Sequence, residues 1–245
     1  MLTRRVGASV AALAAGAVVL ALAVRFGPAL IFSVALASPR AEAWLALARA
    51  PDREAVTIEV EPEPLAADLY RPARPHGAIL LVHGLSPAGR RHPELVRLAR
   101  LLARRGLLVL VPQFEGLAAF RLSGLEVEDI RSGVRFLTGI GAGPVALAGF
   151  SFGAGPTLLA AADLAGLRAV GSFGGYADLR NVILYITTGV HAWGGQRYVR
   201  RQEEYNRWKL LALLVGFVES PRDRNRLATI AGRKLADPSV PTEAL

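Results

Sequence analysis

The sequence predicts an α/β protein with a mostly parallel sheet and helices on both faces. From about residue 55, short apolar runs alternate with amphipathic helical patterns, which is typical of that class. Several runs are continuously apolar, as expected of strands buried on both faces. One run ends in Gly149-Phe150-Ser151-Phe152-Gly153, and a small-residue segment able to form a helix follows at once. This G-x-S-x-G pattern between strand and helix makes Ser151 a candidate nucleophile.

The N-terminal stretch predicts a membrane anchor. Arg4 and Arg5 precede an uncharged run over residues 6–24, and the mean hydropathy of the chain is +0.35. At a rise of ~1.5 Å per residue, that run nearly crosses a ~30 Å hydrocarbon core. The basic flank predicts a single pass with the bulk of the chain extracytoplasmic. The alternatives are a signal peptide cleaved near residues 21–23, giving a secreted protein, and a buried helix of a soluble protein.

The chain divides into three predicted segments. Residues 1–50 hold the anchor and a short connecting helix over 41–50. Residues 51–180 carry the alternating strands and helices of the core. Residues 181–245 contain helical patterns that we interpret as a lid over the serine.

Each core element has its own pattern. Val56 to Val60 alternates with period two, and Ala67 to Tyr70 can form its partner strand. Continuous apolar runs and helical spacing predict the others. The predicted strands are 78–82, 107–111, 145–150 and 168–173, and the predicted helices are 93–106, 127–137, 154–164, 181–188, 197–213 and 222–235.

Charge and composition exclude several functions. The net charge is +9, but the arginines are scattered among apolar helical patterns without a basic stripe rich in aromatic residues. We therefore expect no nucleic-acid partner. The sequence has no cysteine, which excludes disulfides and thiolate metal sites. We expect neither a cofactor nor a metal ion.

Two motifs in this order resemble the α/β-hydrolase family over roughly residues 55–180. They are Leu81-Val82-His83-Gly84-Leu85, after one central strand, and the G-x-S-x-G pattern at Ser151, after a later one. The resemblance implies a serine hydrolase of the esterase, lipase or peptidase type, with a small ester- or amide-type substrate. It also implies that the backbone N–H groups of Phe152 and Leu85 hold the oxyanion. His83 is then expected to be structural, satisfied by local backbone bonds.

The base and acid of a catalytic triad are not evident. In the family they follow the serine, on loops after two later strands, but no convincing strand follows residue 173 here. His191 is the only histidine after Ser151, which makes it a weak candidate for the base. Asp178 is an equally weak candidate for the acid, and a helix-capping role suits it better.

The resemblance therefore predicts a sheet that is incomplete at its C-terminal edge. We interpret the chain as a C-terminally truncated or split hydrolase, whose missing edge a separate chain could supply. The alternative is a catalytically inactive module that binds a ligand or partner.

A second enzyme class has weaker support. Gly149, Gly153 and Gly155 also resemble the glycine pattern of short-chain dehydrogenases, and Tyr205 and Lys209 lie one helical turn apart, as in that family. The glycines follow several strand–helix units rather than the first one, and no acidic residue stands where a ribose would need it. We therefore favour the hydrolase.

Overall fold

The computed structural model describes residues 2–38, 40 and 50–241. The chain forms two compact units, Met1–Pro51 and Asp52–Leu245. The first unit contains helix α1, Leu2–Ala37, with Pro28 inside it. Its segment Ala15–Ala37, with a mean hydropathy of 2.1, is long and apolar enough to cross a membrane, although a signal sequence has the same character. This segment overlaps the predicted anchor over residues 15–24.

The connecting helix predicted over 41–50 falls, except for Ala50, outside the described residues. The predicted boundary near residue 180 stays a prediction. The second unit holds all the described strands and the remaining described helices. In chain order they are β1 Asp52–Ile58, β2 Leu65–Arg71, β3 Gly77–Val82, α2 Pro93–Arg104, β4 Leu107–Pro112, α3 Glu115–Ala118, α4 Glu126–Gly139, β5 Val145–Phe150, α5 Ala154–Ala162, β6 Ala169–Phe173, α6 Leu179–Thr188, β7 Val190–Trp193, β8 Gln196–Val199, α7 Glu204–Leu214 and α8 Pro221–Ala236.

Six strands form one sheet in the order β1-β2-β4-β3-β5-β6. β2 runs antiparallel to β1 and β4, whereas β3 to β6 are mutually parallel. The predicted mostly parallel sheet with flanking helices is therefore confirmed. Because β3 and β5 are neighbours, their carboxyl ends bring the His-Gly motif and Ser151 to the same edge of the sheet.

The sheet has an apolar layer on each face. Leu80 and Val82 of β3 point to one layer, and Leu81 points to the other, as the period of a strand requires. The first layer includes buried residues of α4 and α7, and the second includes residues of α2. The central strands are buried on both faces, which explains why their sequences are continuously apolar.

β6 forms an edge of the sheet. It pairs with β5 on one side, and within the described residues no strand pairs with its other side. Val170 and Phe173 of this strand are 42% and 57% exposed. Leu159 of the neighbouring helix α5 is also exposed, so an apolar surface lies beside the unpaired edge.

The C-terminal segment is only partly as predicted. α6 and α8 confirm the helices expected over 181–188 and 222–235. The helix expected over 197–213 was predicted to begin too early, because β7 and β8 form an antiparallel hairpin and α7 begins at Glu204. Gly194 and Gly195, both with positive φ, make the two-residue turn of this hairpin. His191 therefore lies in β7.

The first turn of α4 provides a test of the packing there. Burial, and then the negative charges of Glu126 and Glu128, raise the pKa of the Asp129 carboxyl to about 6. Since this pKa lies above the unfolded value, the ionised carboxylate destabilises the fold at pH 7, and the penalty disappears as the pH falls below about 4. Asp129→Asn is expected to raise the free energy of unfolding by about 1–2 kcal/mol at pH 7, after allowance for solvent screening.

Urea unfolding in nonionic detergent at pH 7 and pH 4 measures this effect. Glu63→Gln is the control, because Glu63 is an exposed carboxylate between β1 and β2 without an ion pair in the described chain. The control should therefore not stabilise the protein at pH 7. If Asp129→Asn did not raise the free energy of unfolding at pH 7, the pKa of Asp129 would not be raised in the folded protein.

Candidate active site

Ser151 lies at a sharp corner between strand and helix. β5 ends at Phe150, residues Ser151–Gly153 form one 3₁₀ turn, and α5 begins at Ala154. Ser151 has φ 51°, a left-handed conformation that is costly for a residue with a side chain. The residue is exposed, whereas Phe152 and Gly153 after it are buried. The corner therefore presents the hydroxyl above the carboxyl edge of the sheet.

Close packing explains the glycines around this corner. A Cβ at Gly153 would collide with the carbonyl oxygen of His83, and a Cβ at Gly149 would collide with the side chain of Thr157. At Gly84, a Cβ would lie 2.9 Å from both the carbonyl oxygen of Phe150 and the Cβ of Ser151. The two sequence motifs are thus in direct contact, which only residues without a side chain allow.

His83 has the structural role that we predicted. Its side chain is buried, and its Nε2 accepts a hydrogen bond of 3.1 Å from the backbone N–H of Phe114. Nδ1 lies 2.8 Å from the carbonyl oxygen of Gly84 and donates to it in the neutral tautomer. Burial lowers the pKa of His83, which keeps the ring neutral. His83 thus links the segment before Leu85 to the end of β4.

Ser151 opens into a cavity of about 360 Å³. Leu85 and Phe152 also line this cavity, as the predicted oxyanion site requires. The hydrogen bonds of the described chain include none donated by the Leu85 N–H. The Phe152 N–H lies in the first turn of a helix, where such groups have no intrahelical acceptor. Neither N–H group therefore has an acceptor within the described chain.

The chain after β6 forms the rest of the wall of this cavity. Gly174, Gly175, Tyr176 and Gln202 line it together with residues of α6 and α7. Burial, and then the charge of Glu126, raise the pKa of the Tyr176 phenol, which therefore remains a hydrogen-bond donor. The residues from this side are Gly174, Gly175, Tyr176, Val182, Tyr185, Ile186, Gln202, Asn206, Lys209 and Leu210.

His191 and Asp178 line a different cavity, of about 820 Å³. The ring of His191 stacks on Tyr198 with centroids 5.0 Å apart, and it meets Tyr185 edge-on. Asp178 caps α6, because its side chain accepts a hydrogen bond of 2.8 Å from the Arg180 N–H. The capping role is thus confirmed. Tyr176 and Tyr185 line both cavities, so these cavities share a wall.

Sequence reasoning missed Lys209 as a residue of the hydrolase site. Lys209 is the one Lys, Arg, His, Asp or Glu among the described residues that line the Ser151 cavity. Its position on α7 is set by tertiary packing, so no motif pointed to it. The sequence did place Lys209 one turn after Tyr205, and its Nζ lies 4.4 Å from the centroid of that ring.

A buried ion-pair cluster on β2 was also missed, but it serves the fold. Asp68 is fully buried and lies 3.1 Å from Arg53 and 3.6 Å from Arg90. The cluster joins β1, β2 and the turn after the His-Gly motif. In the described part of the chain, no group of three or more His, Cys, Asp or Glu side chains is placed to hold a metal ion.

No protein-family model and no curated protein matches the sequence. Among solved structures, a 2,6-dihydroxy-pseudo-oxynicotine hydrolase is similar with a TM-score of 0.51 and 21% identity, over 74% of this chain and 48% of that chain. Dienelactone hydrolase from Anabaena variabilis gives a TM-score of 0.48 and 28% identity, over 56% of this chain and 69% of that chain. The esterase domain of a Rhodothermus marinus protein gives a TM-score of 0.45 and 27% identity, over 69% of this chain and 72% of that chain.

The match to the first of these hydrolases spans about half of its length. That likeness, the strand order and the strand–serine–helix corner agree on one architecture. The chain has the α/β-hydrolase fold.

Proposed function

We propose that this protein is a membrane-anchored serine hydrolase of the esterase, lipase or peptidase type. The observation that carries the proposal is Ser151, a serine with left-handed backbone at a strand–helix corner that opens into a cavity. Energy stored in such a backbone is typical of functional sites. Leu85 and Phe152, the two proposed sources of oxyanion donors, line the same cavity.

The chemistry would proceed through an acyl-enzyme. The Ser151 Oγ attacks the carbonyl carbon while its proton passes to a base, and the carbonyl oxygen becomes an oxyanion. The N–H groups of Phe152 and Leu85 stabilise that charge, an effect worth about 3 kcal/mol per donor in well-studied hydrolases. The bond to the leaving group then breaks, and the base returns the proton to it. Water cleaves the acyl-enzyme by the same steps and regenerates the serine.

His191 and Asp178 are the proposed base and acid. Their support is that they line one cavity, which shares a wall with the cavity of Ser151. Tyr185 stands in this wall and contacts His191 edge-on. The role of base requires the imidazole to reach the Ser151 hydroxyl, either past that ring or through a movement of the β7–β8 hairpin.

The rate of labelling by a fluorophosphonate probe tests this assignment. We expect His191→Gln to slow the labelling of Ser151 by about 10²-fold or more, because general-base catalysis typically contributes that much. His92→Gln is the matched control, since His92 is an exposed histidine at the start of α2. Equal labelling rates for the wild type and His191→Gln would rule out His191 as the base.

The membrane part of the proposal rests on the apolar segment of α1, Ala15–Ala37. We propose a single-pass anchor with the bulk of the chain extracytoplasmic. Extraction of membranes at alkaline pH tests it, because an integral helix stays in the pellet. Recovery of a shortened soluble form would instead support a cleaved signal peptide and a secreted protein. Release of the whole chain would support a helix buried in a soluble protein.

A second candidate function is a binding or assembly module that is inactive by itself. Two observations favour it: the outer edge of β6 is unpaired within the described residues, and no described His, Asp or Glu lines the Ser151 cavity. A separate chain could then pair with β6 and complete the site. Absence of fluorophosphonate labelling in the folded chain would support this function over the first.

A further inference from the structure

Among the described residues that line the cavity at Ser151, one is charged. Lys209 lies on α7, and the remaining described lining is apolar or neutral, with Gln202 and Asn206 as polar neighbours on the same wall. No carboxylate forms an ion pair with Lys209 within the described chain. A partly buried cation without an ion-pair partner is costly, and an anionic ligand would relieve that cost.

Burial and two neighbouring groups act on the charge of the amine in opposite directions. Burial lowers the pKa of Lys209, whereas Glu203 acts in the opposite direction. The face of the Tyr205 ring, 4.4 Å from Nζ, further stabilises an ammonium group and fixes its position. A general base would need the neutral amine, which this ring does not favour.

We propose that Lys209 binds a carboxylate of the ligand in this cavity, so that the preferred substrates are small esters or amides bearing an anionic group. The substrate preference rests on the proposed function, whereas the binding of a carboxylate by Lys209 does not. A cavity of about 360 Å³ suits a small molecule whose carbonyl lies at Ser151 while its carboxylate reaches Lys209. Gln202 and Asn206 can donate further hydrogen bonds to that carboxylate.

Two matched esters test the proposal with the full chain in nonionic detergent. Mono-4-nitrophenyl glutarate carries a carboxylate, and 4-nitrophenyl butyrate does not. We expect Lys209→Met to lower kcat/KM for the glutarate ester at least about tenfold, because a hydrogen bond between charged groups is lost. The butyrate ester should change less than about threefold, and Lys209→Arg should keep most of the preference.

Arg207→Met is the control for general electrostatics, because it removes one positive charge from the same helix outside the Ser151 cavity. It should leave the preference unchanged. If Lys209→Met and Lys209→Arg both abolished hydrolysis of the neutral ester, Lys209 would be the base, and the proposed anchoring role would be wrong. An equal loss in Arg207→Met would also overturn it.

Binding to a Ser151→Ala variant separates this inference from catalysis. Calorimetry should show tighter binding of monomethyl glutarate than of dimethyl glutarate, and Lys209→Met should remove this difference in affinity. If the wild type hydrolysed neither ester but Ser151→Ala still preferred monomethyl glutarate, only the proposed function would be contradicted. If the wild type hydrolysed both esters without preferring the glutarate ester, only the proposed role of Lys209 would be contradicted.

Discussion

Ser151→Ala is expected to lower the hydrolysis of 4-nitrophenyl butyrate by at least about 10³-fold. The substitution removes the oxygen that forms the acyl-enzyme, and only binding and the oxyanion donors would remain. The fold should survive, since Ser151 is exposed and its side chain lies at the surface of the corner. Steady-state kinetics on the detergent-solubilised chain measure the loss.

Ser239→Ala is the control, because Ser239 is an exposed serine after α8 whose hydrogen bonds to described residues lie within its own turn. The Ser239→Ala protein should be as active as the wild type. Ser151→Gly should also be inactive, yet more stable than the wild type by about 1 kcal/mol, because glycine adopts a φ of 51° without strain. Full activity in Ser151→Ala would show that another group performs the reaction.

Gly153→Ala is expected to destabilise the protein by about 3 kcal/mol and to abolish activity. The new Cβ would overlap the carbonyl oxygen of His83 and lie 3.0 Å from a methyl group of Val82. Because the first of these is backbone, no side-chain rotation relieves the clash, and overpacking of this kind lies at the upper end of its usual cost. The displaced segment also carries Leu85, so the oxyanion donor would move.

Gly139→Ala is the matched control. Gly139 ends α4 and is exposed, and a Cβ added to it would meet no other atom within 4 Å. The exchange should stabilise the protein by up to about 1 kcal/mol, because alanine favours the helix. Urea unfolding compares the two variants. A Gly153→Ala protein as stable as the wild type would mean that the serine corner does not contact the His-Gly segment so closely.

The core was predictable because its signals are local. Strands buried on both faces must be continuously apolar, so β3, β4 and β5 are visible in the sequence. The hairpin of β7 and β8 was missed although Gly194-Gly195 is a recognised two-residue turn signal. Its short strands are largely exposed and lack the alternating apolar pattern, so the charged stretch after residue 196 was interpreted as part of a helix.

The site was predictable only where a motif fixes the backbone. The G-x-S-x-G and His-Gly patterns located Ser151 and its neighbours, because the glycines in them are required by direct backbone contacts. Lys209 could not be found in this way, since which residue of α7 faces the cavity depends on how α7 packs on the core. Asp68 likewise stood in an ordinary strand pattern, and its two arginine partners are distant in sequence.

Mass spectrometry of the chain after fluorophosphonate treatment tests the central claim most directly. Trypsin releases residues 136–168 as one peptide, whose only serine is Ser151. The proposed function predicts that this peptide gains the mass of the phosphonyl adduct in the wild type and not in Ser151→Ala. A correctly folded chain that carries no adduct on this peptide, or carries it on another one, would contradict an activated Ser151.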